Sequence, residues 1–155
     1  MDRIIIVGGS SAIGRSIAER AAKRGVQPFL IGRDEAKLAG VAAVTNGEIA
    51  IADVLDEAAL ASAIKNACEG ASIVGLAYCV GSIDLKPLRS LTGDAMVQAF
   101  RLNAVAPAIA VREAAAALKV ASTASAQPSS IVLFSTVAVA QGFASHTIEI
   151  GRAHV

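Results

Sequence analysis

The strongest constraint on this chain is a rhythm. Short runs rich in Ile, Val and Leu alternate with Ala-rich stretches of helical length along most of its 155 residues. Each apolar run is of strand length, and each stretch after it can return the chain to the start of a neighbouring strand. That pattern is the sequence form of repeated βαβ units on a parallel sheet. The runs lack the polar alternation of a half-wet strand, so the sheet is expected to be covered on both faces. Composition agrees: 54% of residues are hydrophobic and 17% charged, against roughly 45–50% and 25% in ordinary soluble domains. The expected fold is α/β, a Rossmann-type doubly wound parallel sheet in three layers.

Strands are expected at residues 3–7, 28–31, 48–52, 73–78 and 131–135. Gly25 is placed to stop a first helix over 12–24. Asp34 and Asp56 are placed to N-cap the second and third, and Asn46-Gly47 to turn between them. Two separate helices are expected at 92–101 and 104–121, with Pro107 in the first turn of the second, where its missing N–H costs nothing. Residues 122–130 read as a polar linker containing Pro128.

Net charge is +1, with no Lys/Arg stripe interleaved with aromatics, so nucleic acid is a poor partner. The apolar runs fall far below the ~18 residues that span a bilayer. The N-terminal residues lack a signal-peptide layout, and the expected setting is cytoplasmic. Cys68 and Cys79 form no C-x-x-C pair and read as reduced, partly buried thiols; no metal site is expected.

The first strand leads into Val7-Gly8-Gly9-Ser10-Ser11-Ala12-Ile13-Gly14, which opens directly onto a helix. A dinucleotide pyrophosphate needs a tight turn, close backbone approach and free N–H groups at a helix N-terminus. Gly8 and Gly9 supply the turn, Ser10 and Ser11 offer hydroxyl donors, and Gly14 lets the helix pack closely. A glycine cluster alone also fits a turn that merely reverses the chain.

This segment resembles the T-G-x-x-x-G-x-G turn of short-chain dehydrogenases/reductases, with Val7 at the Thr and Ala12 at the middle Gly. The resemblance implies a nicotinamide cofactor. Family members that prefer NAD usually carry an acid at the tip of the second strand, where this chain has Gly32 followed by Arg33. A guanidinium suits a 2′-phosphate, so NADP is expected over NAD, unless Arg33 merely pairs with Asp34. The resemblance places Asp53 and Val54 at the adenine. It places Cys79, Val80 and Gly81, after Tyr78, at the family's N-N-A-G, with only the last Gly kept.

The family's chemistry uses a Tyr, a Lys four residues later, a Ser and an Asn. Asn103 matches the Asn, Thr136 falls on the hydroxyl position, and Ser135 precedes it. The Tyr and Lys would fall near Glu149 and Ala153 and are not there; Tyr78 is the chain's one tyrosine and Lys119 its last lysine. His146 reads as a surface residue rather than a substitute base. Residues 150–155, Ile-Gly-Arg-Ala-His-Val, look like a translated sequencing adapter. The expected organisation is therefore a partial Rossmann domain over 1–149, incomplete at its C-terminal edge, and a non-native tail over 150–155.

The implied activity is hydride transfer between NADP(H), or NAD(H), and a small carbonyl or alcohol, with residues 1–155 alone expected to be inactive. A non-catalytic nicotinamide-binding sensor or scaffold stays open beside it. Methyl transfer from S-adenosylmethionine is disfavoured by the spacing of the glycine turn. The helix over 104–121 spreads Val105, Ala108, Ile109, Val111 and Ala115 over more than one face, which points to a homo-oligomer in the intact protein.

Overall fold

The computed structural model describes residues 1–82, 85, 87–125 and 128–136. The expectations for residues 146 and 149–155 lie outside that set. Five strands form one parallel sheet: β1 (Asp2–Val7), β2 (Gln27–Gly32), β3 (Glu48–Ile51), β4 (Ser72–Tyr78) and β5 (Ser130–Leu133). Their order is β3-β2-β1-β4-β5. The chain thus winds outward from β1 in one direction, returns, and winds outward in the other. The reversal lies between β1 and β4, and ligands of doubly wound sheets bind outside the strand ends at such a point.

Strand alternation assigns side chains to two cores. Ile6 and Leu30 point to α1 (Ala12–Ala22) and α2 (Glu35–Thr45), where Ala18, Leu38 and Val41 meet them. Ile5, Val7, Phe29 and Ile31 point the other way, to α3 (Glu57–Cys68) and α5 (Ala106–Ser125). Ile5, Ile6, Leu30 and Ile31 are fully buried, and burying a side chain of this size contributes roughly 1.5–3 kcal/mol. The expectation of a sheet covered on both faces holds for β1, β2 and β4, whereas β3 and β5 at the two ends of the strand order are largely exposed. At the sheet's other end Arg3 is buried, bonded to the Ala67 carbonyl (2.9 Å), Gln27 and Glu48, over the Phe29 ring.

The caps read from the sequence are in place. Asp34 accepts from the Lys37 amide and Asp56 from the Ala59 amide, both at 3.0 Å. The region after residue 91 differs from expectation. In place of two helices, α4 (Gly93–Phe100) runs through a π-helical turn, Arg101–Val105, directly into α5. Pro107 therefore sits in a continuing helix, where its missing N–H does matter. The linker is shorter than expected, because α5 continues to Ser125. β5 ends at Leu133, which leaves Ser135 and Thr136 beyond the strand.

Candidate functional site

All strands run the same way, so every loop carrying a singled-out residue opens at one edge of the sheet. At the centre is the turn after β1. Gly8 and Gly9 donate their amides to the Ile31 carbonyl at 2.7 and 3.2 Å, tying the turn to β2. Gly8 has φ +85°, a left-handed conformation that favours glycine, and a Cβ there would come within 2.9 Å of the Cys79 backbone. A Cβ on Gly14 would strike the Gly8 carbonyl oxygen. Gly14 thus lets the helix sit on the turn itself.

Ser11 N-caps α1: its Oγ accepts from the Gly14 amide at 3.0 Å. The bond uses a lone pair of the oxygen, so the hydroxyl can still donate its proton to a ligand. The Ser11 amide is taken by the Gly8 carbonyl at 3.0 Å. Among the described residues, the amides of Ser10, Ala12 and Ile13 take no partner. No acidic residue stands in the first turn of α1. Ala12 at the family's glycine position causes no strain, because Asn46 is the one non-glycine with positive φ among the described residues. Ile13 is half exposed beside it, and Val7 is buried in the core.

Arg33 and Asp53 follow β2 and β3. Their side chains pair, Nη1 to Oδ2 at 3.6 Å, and both are well exposed. The sequence offered Asp34 as the partner of Arg33, and the structure corrects this. The Asp34 carboxylate caps α2 and pairs with Lys37 Nζ at 3.0 Å. Those bonds, the Lys37 amide first, hold its carboxyl below the usual carboxylate range. Asp53 Oδ1 accepts from the Leu55 amide at 2.9 Å. Val54 is buried with Leu60 in the core, so of this pair only the carboxylate reaches the surface.

After β4, the Cys79 amide donates to the Val7 carbonyl at 2.7 Å, laying residue 79 alongside Gly8. Burial pushes the Cys79 thiol up to about 11, so it stays protonated at neutral pH. Val80 lines a small cleft with Tyr78, Asn103, Pro107, Phe134 and Ser135. Gly81, next in sequence, is exposed. Asn103 is buried, within the π turn. The structure thus brings Asn103 and Ser135 to one cleft; Thr136 follows, half-buried.

Sequence reasoning missed Tyr78 as a site residue. It lies 3% exposed in the same cleft, and its hydroxyl donates to the Leu102 carbonyl at 3.0 Å. The available signal was a lone tyrosine at the end of an otherwise apolar strand.

The short chain dehydrogenase family model matches residues 2–148, and the chain belongs to this family of oxidoreductases. Solved structures share its fold. A structure of an NADH-dependent reductase complexed with NAD superposes with a TM-score of 0.89 at 20% identity, covering 98% of this chain and 67% of the other. A short-chain dehydrogenase/reductase from Saccharomyces cerevisiae gives 0.88 at 19% identity, covering 99% and 61%. An actinorhodin polyketide ketoreductase variant with NADPH gives 0.84 at 16%, covering 97% and 59%. The chain therefore spans about three fifths to two thirds of these structures. No curated protein matches it. Among the described residues, no helix is long and apolar enough to cross a membrane.

Proposed function

We propose that residues 1–136 form the cofactor half of a reductase that binds NADP(H) and acts on a small carbonyl or alcohol. The observation that carries this reading is the turn over residues 8–14. The helix is packed so closely on the turn that a Cβ at Gly14 would strike the Gly8 carbonyl, and three amides at this helix N-terminus are left unengaged among the described residues. That combination suits a pyrophosphate. Arg33 stands exposed at the end of the adjoining strand, in a long surface pair with Asp53, and would receive the 2′-phosphate. Asp53 would face the adenosine, and the backbone at Cys79 to Gly81 would pass beneath the ribose. When bound, the nicotinamide supplies the hydride.

Asn103 and Ser135, with Thr136 beside them, would line the substrate side. The sequence holds no Tyr-x-x-x-Lys pair, so the proposal for residues 1–155 alone is cofactor binding without turnover. A nicotinamide-binding sensor is the second reading, favoured because the chain's one tyrosine hydroxyl is committed to a backbone carbonyl. Isothermal titration with NADPH and NADH tests the shared part, with saturable binding of NADPH as the tighter ligand expected. Incubation of the intact protein with NADPH and aldehyde or ketone panels separates enzyme from sensor.

We also propose that the intact protein forms a homo-oligomer through α4 and α5. Of the residues named from the sequence, Ile109 is buried and Val111 half-buried against the core. Val105, Ala108 and Ala115 are exposed, and α4 adds exposed Met96, Val97 and Phe100. Sedimentation of the intact protein at micromolar concentration tests this, with a monomer as the contrary result.

A further inference from the structure

In an α-helix each carbonyl accepts the amide four residues ahead. Here the Ala106 amide instead reaches back five residues to the Arg101 carbonyl. The ladder has slipped by one, so the donor due to the Leu102 carbonyl is residue 107. That residue is Pro107, which has no N–H. The helix therefore provides nothing for the Leu102 carbonyl. The Tyr78 hydroxyl does, at 3.0 Å, from a strand 24 residues earlier in sequence.

We propose that Tyr78 is the positioning residue for Asn103: its hydroxyl supplies the hydrogen bond that Pro107 withholds and so maintains the π turn that sets Asn103 in the cleft. The inference rests on the reading of Asn103 as a site residue. The alternative open to the chain is to restore the α ladder, returning the Ala106 amide to Leu102. That would remove the extra residue and rotate position 103 by about 100° relative to α5. Asn103 would then leave the cleft it shares with Ser135. A phenol suits the task because its ring fills the buried strand end, while the hydroxyl alone makes the bond.

The test uses the isotope-labelled full chain and its Tyr78→Phe variant, which keeps the ring and removes the hydroxyl. The expected result is a shift of the Asn103 side-chain amide resonances, with exchange of the amides at 104–106 accelerated roughly two- to tenfold. Amides of β1, β2 and α3 should be unchanged. Arg3→Met, which removes a buried network at the sheet's far end, should lower the melting temperature without moving the Asn103 resonances.

Pro107→Ala restores an amide at the missing position, so in that background Tyr78→Phe should no longer affect residues 103–106. Unchanged Asn103 resonances in Tyr78→Phe, or an equal effect with and without Pro107, would overturn the proposal. If Tyr78→Phe alone does not fold, the double variant is expected to fold, and an unfolded double variant overturns it equally. NADPH titration of the same samples reports separately on the cofactor reading. Its failure in the unaltered chain would sink that reading and leave the result on the turn standing.

Discussion

Arg33 and Asp53 face each other across the ends of β2 and β3, Nη1 to Oδ2 at 3.6 Å, with 77% and 43% of their side chains exposed. A pair this open adds little to stability and is readily exchanged for another anion. A 2′-phosphate arriving at Arg33 would compete with Asp53 for the same guanidinium. NADPH affinity should therefore fall more steeply than NADH affinity between ~50 and ~300 mM salt, since screening weakens exposed charge pairs. Parallel titrations at several salt concentrations check this. Equal slopes for both cofactors would exclude Arg33 as the discriminating charge.

Gly14→Ala should damage both the turn and the fold. The new methyl would strike the Gly8 carbonyl, against backbone that cannot yield as a side chain does. Overpacking of this sort costs about 1–3 kcal/mol. Urea denaturation should show that loss, and calorimetry should show nucleotide binding reduced beyond detection. Gly40→Ala, where a Cβ meets nothing within 4 Å, is the control and should leave binding intact.

Arg3→Met should separate stability from function. Its guanidinium is buried with the Ala67 carbonyl, Gln27 and Glu48, at the end of the sheet away from the turn. Removing it leaves a buried carbonyl unsatisfied, at a cost of about 1–3 kcal/mol. The urea midpoint should fall while NADPH affinity stays unchanged. A matching loss of affinity would show that the two ends of the sheet are coupled.

The Cys79 thiol makes stability depend on pH. Its pKa is raised from 9.0 to about 11 in the folded chain by burial. The unfolded chain releases this proton first, so the contribution is fully present below pH 9 and is lost as pH rises toward about 11. Urea midpoints should decline across that window, and Cys79→Ala should flatten part of the decline. Iodoacetamide at pH 8 should label Cys79 slowly in the folded chain and fast in urea. Rapid labelling of the folded chain would contradict the burial argument.

Local signals in the sequence were reliable where the structure obeys local rules. The turn from Gly8 to Gly14, the caps at Asp34 and Asp56 and the strand rhythm all depend on residues within a few positions of one another. The failures share the opposite property. Adjacency suggested Asp34 as the partner of Arg33, but the parallel register sets Gly32 against Ile51, which brings Asp53 across. Pro107 looked harmless because a helix start was expected just before it. The π turn that makes it interior is completed by Tyr78, which no local pattern links to Leu102.

In the proposed function, the turn over 8–14 and Arg33 together hold NADP(H). The most direct test is the affinity of the unaltered chain and of Arg33→Ala for NADPH and NADH, measured by calorimetry under one low-salt condition. The substitution is expected to weaken NADPH by roughly 10–100-fold, the worth of a charge-assisted contact, and to leave NADH nearly unchanged. NADH binding as tightly as NADPH, with both indifferent to Arg33→Ala, would contradict the proposal.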